Sequence, residues 1–264
     1  MDIWKEYGFE TVNNDPSSGY DSSENPLDVV ILLDLSGSMY TRDFIIEKEE
    51  TVIGRIKDFI ESDISESFVS KIKGKEKISR YEGALFGIIL YFLYKIERGS
   101  DDRISIIPFS DKAEVIKFGK KPSISPSNEN INSAVDEFIK TVEEFMRNRT
   151  KISSSLNKSI ELMKGFEKNR MKMIVLITDR KSDDKFRGSK KSLQDIIDKR
   201  LSPREDLVVN TIGLGDEVDD ELLNFIASKT DGEYRKTNSL RGLFKAFSHF
   251  STSTSEKASI IFKE

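Results

Sequence analysis

The sequence has no cysteine, one histidine (His249), six prolines and a single tryptophan. Without cysteine there can be no disulfide, no thiolate metal site and no cysteine nucleophile. That composition fits a reducing compartment, and no basic or apolar leader is visible in the opening MDIWKEYGFETVNND, so a cytoplasmic location is expected. A lone histidine also makes zinc chemistry an unpromising reading. Neither sign of charge dominates: 42 Lys and Arg stand against 46 Asp and Glu, a net charge of −4, and no nucleic-acid partner is expected. Long apolar runs are missing as well. The longest, residues 83–94, is about two-thirds of the roughly 18 residues that suggest a membrane span, and reads as a helix buried in a core.

What remains is enough for one sizeable α/β domain: 264 residues, 37% of them hydrophobic. Residues 1–26, with NNDPSSGYDSSENP, are polar and turn-rich and read as a flexible N-terminal segment. The domain is expected over residues 27–250. Residues 27–33 (LDVVILL) are apolar on both faces, as suits a central parallel strand covered by helices on each side. Similar short strands recur at residues 104–109 (ISIIPF), 172–177 (KMIVLI) and 207–213 (LVVNTIG). Amphipathic helical patterns occupy residues 80–98, 129–146, 152–167, 192–200, 219–229 and 240–250. This alternation predicts a doubly wound α/β fold with a mostly parallel central sheet and helices on both faces. Residues 113–118 (AEVIKF), after the turn at Ser110, Asp111 and Lys112, are expected to add one antiparallel edge strand.

Residues 41–79 carry an extra helical pattern after the first strand, with Val52, Ile56, Phe59, Ile60 and Ile64 on one stripe and Phe68, Val69 and Ile72 as a second group. They read either as a helical insertion packed on the domain edge or as a cap over the site beside it. Residues 251–264 read as a C-terminal tail, polar at first and strand-like at its end.

The first strand runs into Asp34-Leu35-Ser36-Gly37-Ser38-Met39. Loops at the carboxyl ends of parallel strands form the binding crevice of an open sheet. One carboxylate and two hydroxyls on alternate residues are hard oxygen donors of the type Mg²⁺ prefers, and so small a set leaves coordination positions open. The same residues could instead cap a following helix.

DLSGSM after an apolar strand resembles the metal-ion-dependent adhesion site of the von Willebrand factor A domain family. Residues 102–110 (DRISIIPFS) resemble that family's second strand, 174–179 (IVLITD) its fourth and 211–215 (TIGLG) its fifth. Glu221-Leu222-Leu223, Ile226-Ala227 and Gly232-Glu233-Tyr234 match the approach to its last strand, so the resemblance covers about residues 27–250 in family order. It implies that Thr150 and Asp179 complete the site of Asp34, Ser36 and Ser38, directly or through water, around Mg²⁺ or Mn²⁺. Two departures stand out. Arg180 follows Asp179 where the family commonly has glycine, and Arg147-Asn148-Arg149 precedes Thr150 where it often has glycines. Arg149, Arg180, Met39 and Tyr40 form the candidate partner-binding rim, and arginines there would favour a carboxylate-bearing ligand. The resemblance also implies a C-terminal helix, here with a buried stripe of Leu240, Leu243, Phe244 and Phe247.

The function implied is a non-enzymatic protein-interaction module. The metal would bind an acidic residue of a protein partner, as in an intracellular adaptor working with an AAA-type ATPase or a multiprotein assembly. Two alternatives stand beside it. One is an Mg²⁺-dependent phosphohydrolase with Asp34 as nucleophile, although Ser36 occupies the place where such enzymes carry a second aspartate. The other is a scaffold that acts through residues 41–79 and keeps a vestigial metal site. Asp183 and Asp184 read as solvated loop residues, Gly213 and Gly215 as sites of close backbone packing, and His249 as a packing or surface residue.

Overall fold

The computed structural model describes residues 25–145, 149–179 and 193–262. Most of the N-terminal segment, Arg180, and the loop with Asp183 and Asp184 lie outside the described residues. The main strands are β1 (Leu27–Asp34), β4 (Arg103–Phe109), β5 (Met171–Thr178), β6 (Leu207–Leu214) and β7 (Tyr234–Thr237), and the inserted segment adds β2 (Phe44–Ile45) and β3 (Lys77–Ile78). The longer helices are α1 (Glu49–Phe59), α2 (Asp63–Ser70), α3 (Arg80–Glu97), α4 (Ile131–Glu144), α5 (Ile152–Met163), α6 (Asp220–Ser228) and α7 (Leu240–Ile261), and Ile197–Leu201 forms a further helical turn.

A five-stranded sheet in the order β4-β1-β5-β6-β7 is parallel throughout. Every residue of β1, β5 and β6 is buried, because helices cover both faces. Alternation divides the core. Val29, Ile31 and Leu33 belong to the apolar cluster shared with α3, α4 and α7, whereas Val30 and Leu32 belong to the one shared with α5 and α6.

The expected antiparallel edge is met by isolated pairings rather than a regular strand. Glu114 donates to the Pro108 carbonyl, Ile116 to that of Ile106, and Ile104 exchanges bonds with Ile124. Pro108 has no N–H to donate, which interrupts a ladder along that edge.

Residues 41–79 form an insertion whose buried side chains join the apolar cluster of α3, α4 and α7. Antiparallel β2 and β3 close its base, and Val52, Ile56, Ile60, Phe68, Val69 and Ile72 face inward. Phe44 is the anchor: it is wholly buried, and a Cβ on Gly83 of α3 would lie 2.2 Å from its ring. Polar ties from Ser62 to Asp136 (2.5 Å) and Lys71 to Glu143 (2.6 Å) hold the helices to α4.

Where a tail was expected from residue 251, α7 continues as helix to Ile261. Its expected stripe of Leu240, Leu243, Phe244 and Phe247 is buried, and so are Ser251, Thr254, Ser255 and Ala258 beyond it. Ser251 accepts a hydrogen bond from Lys95 Nζ (2.6 Å), which also pairs with Asp102 (2.6 Å) inside the core. The serines and threonines that made this stretch look unstructured fit narrow helix contacts. Thr254, for example, reaches the Met173 sulfur at 3.4 Å.

Candidate metal centre

The chain adds β4 on one side of β1 and then crosses to place β5, β6 and β7 on the other. Loops leaving the two central strands therefore diverge, and a crevice opens at their carboxyl ends. Asp34 is the last residue of β1, and Asp179 directly follows β5. Both belong to that switch point.

Asp34 is fully buried. Its Oδ1 accepts the backbone N–H of Ser36 at 2.8 Å and its Oδ2 the hydroxyl of Thr178 at 2.6 Å. Burial pushes the Asp34 carboxyl up to about 6, against the pull of those two bonds and with added repulsion from Asp179. Ser36 Oγ lies 3.1 Å from Ser38 Oγ, and Ser38 donates to Asp179 Oδ1 at 2.7 Å. The structure thus brings Asp34, Ser36, Ser38 and Asp179 into one hydrogen-bonded group.

The helix-cap reading of these residues does not hold. β1 is followed by a single 3₁₀ turn (Gly37–Tyr40), and Ser36 at its N-cap makes no side-chain capping bond. The next long core helix, α3, starts only after the insertion, under its own capping box of Ser79 and Glu82. Thr150 is not a cap either, since the N-cap position of α5 belongs to Lys151. Lys151 N–H donates to the Ser110 carbonyl at 2.7 Å, which sets this segment at the carboxyl end of β4, next to β1. Thr150 is 5% exposed, and its Oγ1 is buried without a hydrogen-bond partner. An orphaned buried hydroxyl is costly, and a ligand that uses its lone pair removes the cost.

The sequence reading missed two residues. Arg80 begins α3, where the helix dipole disfavours a cation, so some other partner must hold it. Its Nε and Nη2 grip both oxygens of Asp43, the former at 2.8 Å, and its Nη1 donates to Asp179 Oδ2 at 2.9 Å. Gly215, at φ +82°, makes room: a Cβ there would lie 2.5 Å from the guanidinium. The Ser79-x-x-Glu82 cap was the available signal, because it sets an arginine in a first helical turn beside the strand ends.

The candidate rim is only partly realised. Met39 is fully buried in the core and cannot meet a partner, since the 3₁₀ turn points it inward. Tyr40 is 37% exposed and stacks on Tyr81 with ring centroids 5.4 Å apart. Arg149 is exposed. Gly213 packs closely against Val218 and Tyr234, and exposed His249 pairs with Glu233 at 2.8 Å, both as surface and packing arguments anticipated.

Among the described residues, no cluster of three or more His, Asp or Glu side chains is placed to hold a metal. The residues expected for the site, two carboxylates and three hydroxyls, are all hard oxygen donors, a chemistry that would suit Mg²⁺ or Mn²⁺ rather than zinc.

Among curated proteins none matches this chain by sequence. Solved structures do match its fold. A von Willebrand factor type A protein from Catenulispora acidiphila superposes with a TM-score of 0.52 at 13% identity over 89% of this chain and 43% of that one. The D319A mutant of the PilB minor pilin from Streptococcus sanguinis gives 0.58 at 14% identity, over 90% of this chain and 63% of that one. The conserved hypothetical protein BatB from Bacteroides thetaiotaomicron gives 0.53 at 15% identity over 88% of this chain and 99% of that one. The chain therefore spans less than two-thirds of the first two. Residues 28–246 match the family model itself, and the chain belongs to the von Willebrand factor type A domain family.

Proposed function

We propose that this domain is a metal-dependent protein-interaction module, with Asp34, Ser36, Ser38, Thr150 and Asp179 as the residues that would hold Mg²⁺ or Mn²⁺. When bound, the ion supplies a Lewis-acidic charge with a coordination position open to a partner's carboxylate. The observation that carries this reading is the buried, unpartnered hydroxyl of Thr150, in the segment that Lys151 ties to the carboxyl end of β4, next to β1. Asp34 supplies charge, and Thr178 and the Ser36 amide fix its orientation. Exposed Arg149 and the Tyr40–Tyr81 stack are the surface features suited to an acidic partner segment. Binding is favoured over hydrolysis because Asp34 is fully buried with both oxygens engaged, a poor posture for a nucleophile. Interaction modules are common in this family. An intracellular adaptor for a multiprotein assembly, such as one built around an AAA-type ATPase, fits the cysteine-free composition. No described helix is long and apolar enough to cross a membrane.

Thermal unfolding of wild type and Asp34→Ala in Mg²⁺, Mn²⁺ or chelator tests the site. A ligand that binds only the folded state raises its stability, by about 2.7 kcal/mol at a hundredfold excess over Kd. The expected result is a metal-dependent rise in wild type that Asp34→Ala lacks. No response in either protein overturns the reading.

A further inference from the structure

The strongest unexplained feature is the arginine inside the candidate centre. Arg80 has a side chain only 7% exposed and bridges Asp179, which is fully buried, to Asp43, which lies in the inserted segment. This clamp is built rather than incidental. Gly215 leaves the space for the guanidinium, the Ser79–Glu82 capping box fixes the start of α3, and the Arg80 amide donates to the Thr41 carbonyl at 3.2 Å.

From this geometry we infer that Arg80 is a positioning residue that opposes cation binding at Asp179, and that Asp43 sets how strongly it does so. The inference rests on the metal-dependent reading above. A guanidinium on Oδ2 neutralises part of the charge that a divalent ion would use, and it repels that ion across a buried site where screening is weak. Asp43 works in the other direction. By engaging Nε and Nη2 it draws the positive charge away from Asp179, leaving only Nη1 on that carboxylate. The inserted segment is thereby linked to the centre: a partner that displaces residues 41–48 would release Arg80 wholly onto Asp179 and weaken the metal. By reciprocity, metal binding would strengthen the contacts around Thr41 and Asp43.

The test is Mn²⁺ affinity by calorimetry, with thermal unfolding in chelator to confirm that each variant folds. Arg80→Met is expected to bind Mn²⁺ about tenfold more tightly than wild type, and Asp43→Asn about tenfold more weakly. In the double variant, Asp43→Asn loses its effect, since no guanidinium remains to be released. A merely structural role predicts that both single variants bind no better than wild type, and that outcome overturns the inference. If wild type binds no Mn²⁺ but Arg80→Met does, the inference stands and the metal-grip function fails. Binding by none of the variants overturns both.

Discussion

Thr178 donates its hydroxyl to Asp34 Oδ2 at 2.6 Å, one register step beyond the Leu33–Ile177 pair that joins β1 to β5. The bond ties the last residues of two adjacent strands to each other, so the orientation of the carboxylate follows directly from the sheet. Removing the donor with Thr178→Val leaves a buried carboxylate short of a charge-assisted bond. The expected cost is about 1.5–3 kcal/mol at neutral pH in the metal-free protein, read by urea denaturation. Equal midpoints for the two proteins would show that the bond contributes nothing.

Thr150 should behave in the opposite way. Its buried Oγ1 has no partner, so Thr150→Val exchanges an unsatisfied hydroxyl for a methyl of nearly the same shape. The metal-free variant is expected to be as stable as wild type or more so, by up to about 1 kcal/mol. Stabilisation by Mg²⁺ or Mn²⁺ should fall. A variant that loses stability in chelator and keeps its full metal response would remove Thr150 from the site.

Asp34 sets the pH dependence. Its carboxyl is pushed up from 3.8 to about 6, chiefly by burial, so the folded protein holds a proton there over a range in which the unfolded chain has lost it. The sign follows: in chelator, this group favours folding at low pH, and its contribution is lost as the pH rises from about 4 through about 6. The shift corresponds to roughly 3 kcal/mol. Asp34→Asn should flatten that part of the stability profile and raise metal-free stability at pH 7. Metal binding needs the ionised form and should weaken about tenfold for each pH unit below about 6.

The end of α7 offers a test away from the centre. Deleting residues 251–264 removes Ser251 from the buried Lys95–Asp102 pair and uncovers the surface under Thr254 and Ala258. A loss of about 3 kcal/mol or more is expected. A dispensable tail would leave the unfolding midpoint where it was.

By itself, the sequence determined the layers and named the candidate donors. Continuous apolar runs such as LDVVILL can be satisfied only between two helical layers, and the 3.6-residue stripes of α3, α4, α5 and α6 provide those layers. Asp34, Ser36 and Ser38 were legible because their spacing is local. Asp179 and Thr150 needed the family resemblance, since nothing in their own neighbourhoods ties them to Asp34. Tertiary structure alone decided the rest. The direction of a side chain in a one-turn helix depends on what packs against it, which is why Met39 went inward while Tyr40 stayed at the surface. Polar composition hid the last part of α7, because buried serines and threonines resemble a solvated tail until a core is there to receive them. Asp43, Arg80 and Asp179 are far apart in the chain, and an ion pair among three such residues leaves no periodic trace. Their meeting is fixed by the strand order, by Phe44 lying against Gly83, and by the space beside Gly215.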